Sequence, residues 1–184
     1  MSFDDFLALV ISRRTQLVMD QTRDVDPEIV TNLCEAASWA PNHQQTWPWR
    51  FGVFTGQSRR GLGEVAAEAM KRRGDAENKV EKTRTKYLRA PVIIVVGTAP
   101  GDSELQTEEN RDAVAAGIQN LLLGATAMGL GSFWSSCPKG ANDDVATHCG
   151  WEPGTHVTAI IYLGWPTRTL PDRERPAPVI TRFS

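Results

Sequence analysis

Ala113-Val114-Ala115-Ala116-Gly117-Ile118-Gln119-Asn120-Leu121-Leu122-Leu123-Gly124-Ala125-Thr126-Ala127-Met128-Gly129-Leu130-Gly131 begins a run that carries no charged residue until after Pro138. A run of that length could span a bilayer, which takes about 20 apolar residues. Gln119, Asn120 and Thr126 inside it, its four glycines and the lack of a second such segment argue instead for a helix at the centre of a globular chain, with no membrane partner. Ala113, Gly117, Asn120, Gly124 and Ala127 share one stripe, on which small residues let another backbone or a flat ligand come close. Val114, Ile118, Leu121, Leu122 and Ala125 read as ordinary core on the other faces. A helix apolar nearly all round must be covered on all sides, which in so small a chain points to a subunit interface.

Working outward, Phe3, Phe6, Leu7, Val10 and Ile11 fall on one face of a helix from about Phe3 to Arg13. Asp26 as N-cap and Pro27 at the first helical position open a second helix, with Ile29, Leu33, Ala36, Ala37 and Ala40 inward and Pro41 ending it. Trp49 to Phe54 reads as a strand. Residues 59–87 read as one or two exposed helices with a break at Gly74-Asp75, and Val92 to Val96 as a buried strand. A polar loop from Thr98 to Gln106 precedes the central helix. Short strands at Ser132–Ser136 and His156–Leu163 flank a short helix starting at Asn142-Asp143-Asp144. Prolines 171, 176 and 178 make the tail from Pro171 to Ser184 an extended arm. The fold class is α+β in a single domain over 1–184.

Composition narrows the function. Twenty Lys and Arg against 22 Asp and Glu give net −2, which leaves no broad basic face for nucleic acid. Three cysteines, Cys34, Cys137 and Cys149, with no C-x-x-C pair, fit a reducing, cytoplasmic setting, as does an acidic N-terminus without a signal-peptide start. His148-Cys149, His156 and Cys137 match no metal-ligand spacing, and no catalytic Cys or phosphate-loop motif stands out.

Three stretches remain. Arg13-Arg14-Thr15, at the expected end of the first helix, suits a phosphate because guanidinium forks match its oxygens; cations in a last helical turn also serve the helix dipole alone. Ala40-Pro41-Asn42-His43-Gln44-Gln45-Thr46-Trp47-Pro48-Trp49 crowds amides, an imidazole and two indoles into one loop, as a binding loop or as plain packing. Gly131-Ser132-Phe133-Trp134-Ser135-Ser136 offers hydroxyls and N–H groups that could meet a ring edge or a phosphate.

Taken in order with Ile161-Tyr162-Leu163-Gly164-Trp165-Pro166, these motifs make the whole chain resemble the FMN-dependent nitroreductase family, and most of all its short single-domain NAD(P)H nitroreductases. The resemblance implies a three-layer sandwich with a central mixed or antiparallel sheet, the long helix at a homodimer interface and the extended C-terminal arm. It implies FMN as cofactor, NAD(P)H as electron donor and ping-pong reduction of a nitroaromatic, quinone or related small-molecule acceptor. Arg13, Arg14 and Thr15 would hold the FMN phosphate and ribityl chain, with Arg173 and Arg175 assisting. His43 would reach the flavin of the other subunit, as a positioning group or a proton donor, and Trp134, Ser135 and Ser136 would line it on the opposite side. No protein nucleophile or metal is implied. Gln16 and Leu17 stand where the family usually has a basic residue, and Trp47 replaces the Gln of its Gln-Pro-Trp. Those departures keep open an alternative of the same fold, a flavin-binding or storage protein with little reductase activity.

Overall fold

The computed structural model describes residues 1–171 and 173–183. Its core is a wholly antiparallel four-stranded sheet of order β1-β2-β4-β3, built from β1 (Trp49–Thr55), β2 (Val92–Thr98), β3 (Gly131–Ser135) and β4 (His156–Gly164). The mixed sheet allowed by the sequence reading is thereby narrowed to the antiparallel case. Every residue of β2 is buried, as its unbroken apolar run requires of a central strand covered on both faces.

Alternation along β2 and β4 divides the core in two. Val92, Ile94 and Val96 join Ala159, Ile161 and Leu163 under α2 (Pro27–Ser38) and α5 (Glu104–Ala127). Ile93 and Val95 join Ile160 and Tyr162 under α3 (Ser58–Arg72) and α6 (Asn142–His148). Each fully buried Val, Ile or Leu contributes about 1.5–3 kcal/mol, so this helix–sheet–helix sandwich needs no covalent staple. Gly97 pairs with Val157 while Val96 pairs with Ala159, so Thr158 is an extra residue at a bulge, with its hydroxyl 2.6 Å from that of Thr98.

Local chemistry explains the helix boundaries. Asp26 accepts from the Glu28 N–H at 2.8 Å and Pro27 opens α2, whose inner face is Val30, Leu33 and Ala37 with Ile29 half-buried; Ala36, expected inside, is exposed. The segment read as exposed helices is α3 followed by α4 (Glu77–Lys86), broken at Gly74, but α3 buries Leu62, Ala66, Ala67, Ala69 and Met70. Helix α5 begins two turns earlier than its uncharged run, at a Ser103 N-cap that accepts from the Gln106 N–H at 3.1 Å. No described helix is long and apolar enough to cross a membrane.

The small stripe of α5 receives α2 of the same chain. A Cβ on Gly117 would lie 2.4 Å from the Ala37 carbonyl oxygen and 2.7 Å from Trp49 Nε1, and one on Gly124 would lie 2.8 Å from Leu33. The face left open carries Ala116, Gln119 and Ala127. Helix α1 (Phe3–Ser12) is closed by a Ser2–Asp5 capping box, yet buries none of its residues; Phe3 is 73% and Ile11 58% exposed. The tail is exposed and without regular structure over 173–183, and the remainder of the arm expected over 171–184, Asp172 and Ser184, lies outside the described residues.

Candidate functional site

The chain leaves α1 at Arg13, whose N–H still donates to the Leu9 carbonyl at 3.2 Å, and then runs along the open edge of β3. Thr15 bridges to Ser132 in parallel, and the Gln16 N–H donates to the Ser132 carbonyl at 2.9 Å. This brings Arg13-Arg14-Thr15 beside β3, which ends in Trp134-Ser135 and is followed by Ser136. Thr15, Trp134 and Ser136 are exposed and Ser135 is half-buried.

Partial burial, then the positive charges of Arg175 and Arg14, hold the Arg13 guanidinium below its ordinary pKa. The tail thus returns Arg175 to the electrostatic neighbourhood of Arg13, while Arg173 is exposed without a comparable effect on it. Among the described residues neither Arg13 nor Arg175 forms an ion pair. Like-charged guanidiniums brought together in this way create a positive local field that favours an anion. Arg14 turns the other way: its Nη1 donates to the Ile11 and Arg13 carbonyls. It also lines an open cleft of about 550 Å³ with Ser12, Gln16, Thr126 and the segment from Pro166 to Leu170.

Gln16 is 5% exposed, and both ends of its amide make internal hydrogen bonds. Nε2 donates to the Arg168 carbonyl at 3.0 Å and Oε1 accepts from the Val18 N–H at 3.1 Å. The side chain lies against Gly131, where a Cβ would come within 2.7 Å of it.

His43 is far from this cluster within one chain. It sits on a single 3-10 turn, His43–Gln45, with Nδ1 2.9 Å from Glu109 Oε1 on α5. Arg14 shares its cleft with Thr126 on the same helix. At 1.5 Å rise per residue, positions 109 and 126 are about 25 Å apart along the axis. The loop carrying His43 holds three non-glycine residues in the left-handed region, Gln44, Gln45 and Trp47 (φ 59°, 54° and 50°). Such conformations cost roughly 1–3 kcal/mol each and collect at functional sites.

Thr46 Oγ1 donates to Asn110 Oδ1 at 2.5 Å and accepts from Asn42 Nδ2 at 3.0 Å, while Asn42 Oδ1 accepts from the Trp47 N–H at 2.9 Å. Gln106 Nε2 donates to Gln44 Oε1 at 2.7 Å. Reading the sequence missed the α5 half of this network, Gln106, Glu109 and Asn110. The Ser103-x-x-Gln106 capping pattern could have signalled that helix reaches that far.

The remaining reactive groups are poorly placed for chemistry. Burial pushes the Cys34 and Cys137 thiols up to about 11, and burial with Cys137 nearby pushes Cys149 up to about 12, so all three are thiols at neutral pH. Among the described residues no group of three or more His, Cys, Asp or Glu side chains could hold a metal ion.

Comparison with known proteins agrees with this geometry. The chain is 25% identical over 186 residues to the Escherichia coli K12 protein named "Putative NAD(P)H nitroreductase YdjA", covering 97% of this chain and all of that one. The nitroreductase-like family protein of Bacillus cereus superposes with a TM-score of 0.81 at 23% identity, covering 96% of this chain and 94% of that one. A nitroreductase of Bacteroides fragilis, solved with bound FMN, superposes at 0.77 with 20% identity, covering 97% and 98%. Residues 10–165, from the last turn of α1 to the end of the sheet, match the Nitroreductase family, and the chain belongs to it.

Proposed function

We propose that the protein is an FMN-dependent NAD(P)H oxidoreductase acting as a homodimer on nitroaromatic, quinone or related acceptors. The observation that carries the reading is the convergence of Arg13 and Arg175, without ion-pair partners among the described residues, beside an exposed Thr15. That donor set fits a phosphomonoester: guanidinium forks for its oxygens and a hydroxyl for the adjoining chain. Arg14 adds positive charge to the cluster while its Nη1 braces the helix end. Trp134 gives an exposed apolar plate on the neighbouring strand, with Ser135 and Ser136 as polar edges. FMN, when bound, supplies two-electron transfer between a nicotinamide and the acceptor, so the protein has to supply position and electrostatics only.

The same geometry supports a homodimer. His43 lies about 25 Å along α5 from the cation cluster, a separation that favours its meeting the flavin held by a second copy. The uncovered face of α5 and the open apolar face of α1 are the surfaces that a second copy would bury. The C-terminal arm, with Arg173 and Arg175, belongs to the same assembly in this reading.

Purified protein with a flavin absorbance spectrum, sedimenting as a dimer and oxidising NAD(P)H with a quinone in parallel double-reciprocal lines, supports this function; protein that takes up no FMN refutes it. The structure gives one reason to keep the flavin-storage alternative in view. Gln16 is neutral, with its amide nitrogen and oxygen each engaged in an internal bond, and Leu17 is exposed and apolar, so neither supplies a cation to the flavin. Stable flavin binding without NAD(P)H oxidation would select that alternative.

A further inference from the structure

The loop from Asn42 to Trp47 is held by side chains at nearly every step, yet ends in an indole that is 62% exposed. Trp47 leans on Trp49, with ring centroids 6.4 Å apart and planes tilted by 47°, while Trp49 is buried against Gly117. Trp47 itself sits at φ 50°, a conformation that a bulky residue avoids unless its surroundings impose it. What imposes it is a chain of hydrogen bonds that starts at Asn110, 2% exposed on α5. Asn110 Nδ2 donates to the Ala99 carbonyl at 3.3 Å, which fixes the amide so that Oδ1 takes the Thr46 hydroxyl; Thr46 holds Asn42, and Asn42 holds the Trp47 N–H. The Ala99 N–H donates to the Pro48 carbonyl at 2.8 Å, which closes the loop onto the same point. Relaxing this arrangement would relieve strain, so a polar relay anchored at buried Asn110 opposes that relaxation and keeps the exposed ring in place.

We propose that Asn110 is a positioning residue which, through Thr46 and Asn42, fixes Trp47 as the surface on which a planar, ring-containing acceptor lies. The inference rests on the reductase function proposed above and adds to it the residue that selects the acceptor. An indole whose backbone is fixed by these bonds and whose ring leans at a tilt on Trp49 keeps an exposed face for stacking at little entropic cost.

The test uses the FMN-loaded protein with NADH and two oxidants. 1,4-Naphthoquinone needs a ring platform; ferricyanide, an outer-sphere oxidant, does not. Thr46→Val removes the hydroxyl while keeping the shape of the side chain. It should raise the KM for naphthoquinone about fivefold, as should Trp47→Ala, with ferricyanide kinetics retained. Thr46→Ser should restore the naphthoquinone KM, and Asn110→Leu should behave as Thr46→Val does. Wild-type KM in Thr46→Val, an equal loss with both oxidants, or a Trp47→Ala protein that sediments as a monomer while the wild type is a dimer would each overturn the inference and leave the reductase function standing. A wild-type protein that binds no FMN, or holds it without oxidising NADH, would overturn the function itself and this inference with it.

Discussion

The two ends of α5 present opposite kinds of surface. Near its C-terminus, Arg13 and Arg175 lie close enough for like-charge repulsion, and Thr15 stands open to solvent. Near its N-terminus, Gln44, Thr46 and His43 are tied to Gln106, Asn110 and Glu109, and the strained backbone between them has little freedom left. The first end gathers like charges with no ion-pair partner for Arg13 or Arg175 among the described residues. The second is a closed set of internal hydrogen bonds. A cluster of like charges and a hydrogen-bonded, strained loop are built on different physics, and about 25 Å of helix separates them in one chain.

The sharpest way to break the comparison is at the helix crossing between the ends. Gly117→Ala would drive a Cβ to 2.4 Å from the Ala37 carbonyl oxygen and 2.7 Å from Trp49 Nε1. Overpacking of backbone against backbone should cost about 3 kcal/mol, or roughly 10 °C in Tm for a chain of this size, read by calorimetry. Because α2 leads directly into the strained loop, the damage should fall on the loop end: Trp fluorescence should change while the cation cluster keeps its anion affinity.

Next in size is the cluster itself. Arg13→Ala should weaken FMN binding by roughly ten- to hundredfold, since a hydrogen bond to a charged group contributes about 1.5–3 kcal/mol. Arg14→Ala should cost less, because its Nη1 is occupied by the Ile11 and Arg13 carbonyls. Flavin fluorescence titration gives both values, and equal losses would erase the distinction drawn between the two arginines.

A smaller effect is expected at the other end. Glu109→Gln removes one charge from a pair whose His43 side chain is 64% exposed, and such pairs contribute about 0–1 kcal/mol. Chemical denaturation should place the variant within that range. A larger loss would mean that the clasp, as well as the buried Asn110 relay, holds the loop.

The smallest effect is a pH dependence. Burial, then Arg111 with its Nη2 3.4 Å from His156 Nε2, holds His156 below its ordinary value of 6.5. The unfolded chain therefore binds the proton more readily, and this contribution to stability is present above about pH 6.5 and lost as pH falls through the depressed value. His156→Gln should flatten the stability curve in that acidic window, as followed by Tm against pH.

Much of this was legible in the residues. The Asp26-Pro27 start of α2, the unbroken run of β2 and the breaks at Pro41 and Gly74 are local signals, and the structure places element boundaries beside them. The start of α5 was hidden because its first turns carry Glu104, Glu108, Glu109, Arg111 and Asp112, which hide the apolar pattern although the Ser103 cap is present. The destination of the small stripe was not legible either, since small residues announce a close approach without naming what approaches. At the site, Arg13-Arg14-Thr15 and the 40–49 loop stood out by composition. The donation of Arg14 Nη1 to the Ile11 and Arg13 carbonyls did not, because it depends on which carbonyls the helix end leaves free. The Asn110 relay was invisible for a similar reason: one amide among the charges of α5 gains meaning only when Thr46, 64 positions away, is folded against it.

The hydroxyl contact between Thr98 and the bulged Thr158 also bears on the order in which the molecule assembles. Those hydroxyls touch across 60 positions of chain, with α5, β3 and α6 in between, so β2 and β4 meet only after a long loop has been closed. Closing such a loop is an entropic cost that no local contact offsets, whereas the hairpin of α3 and α4 is joined by a turn of a few residues. Assembly should therefore run from helical pairs toward the sheet, at the slower rates typical of non-local topologies. Thr98→Val would then accelerate unfolding with little change in the refolding rate; a matching fall in the refolding rate would put the closure of the sheet first.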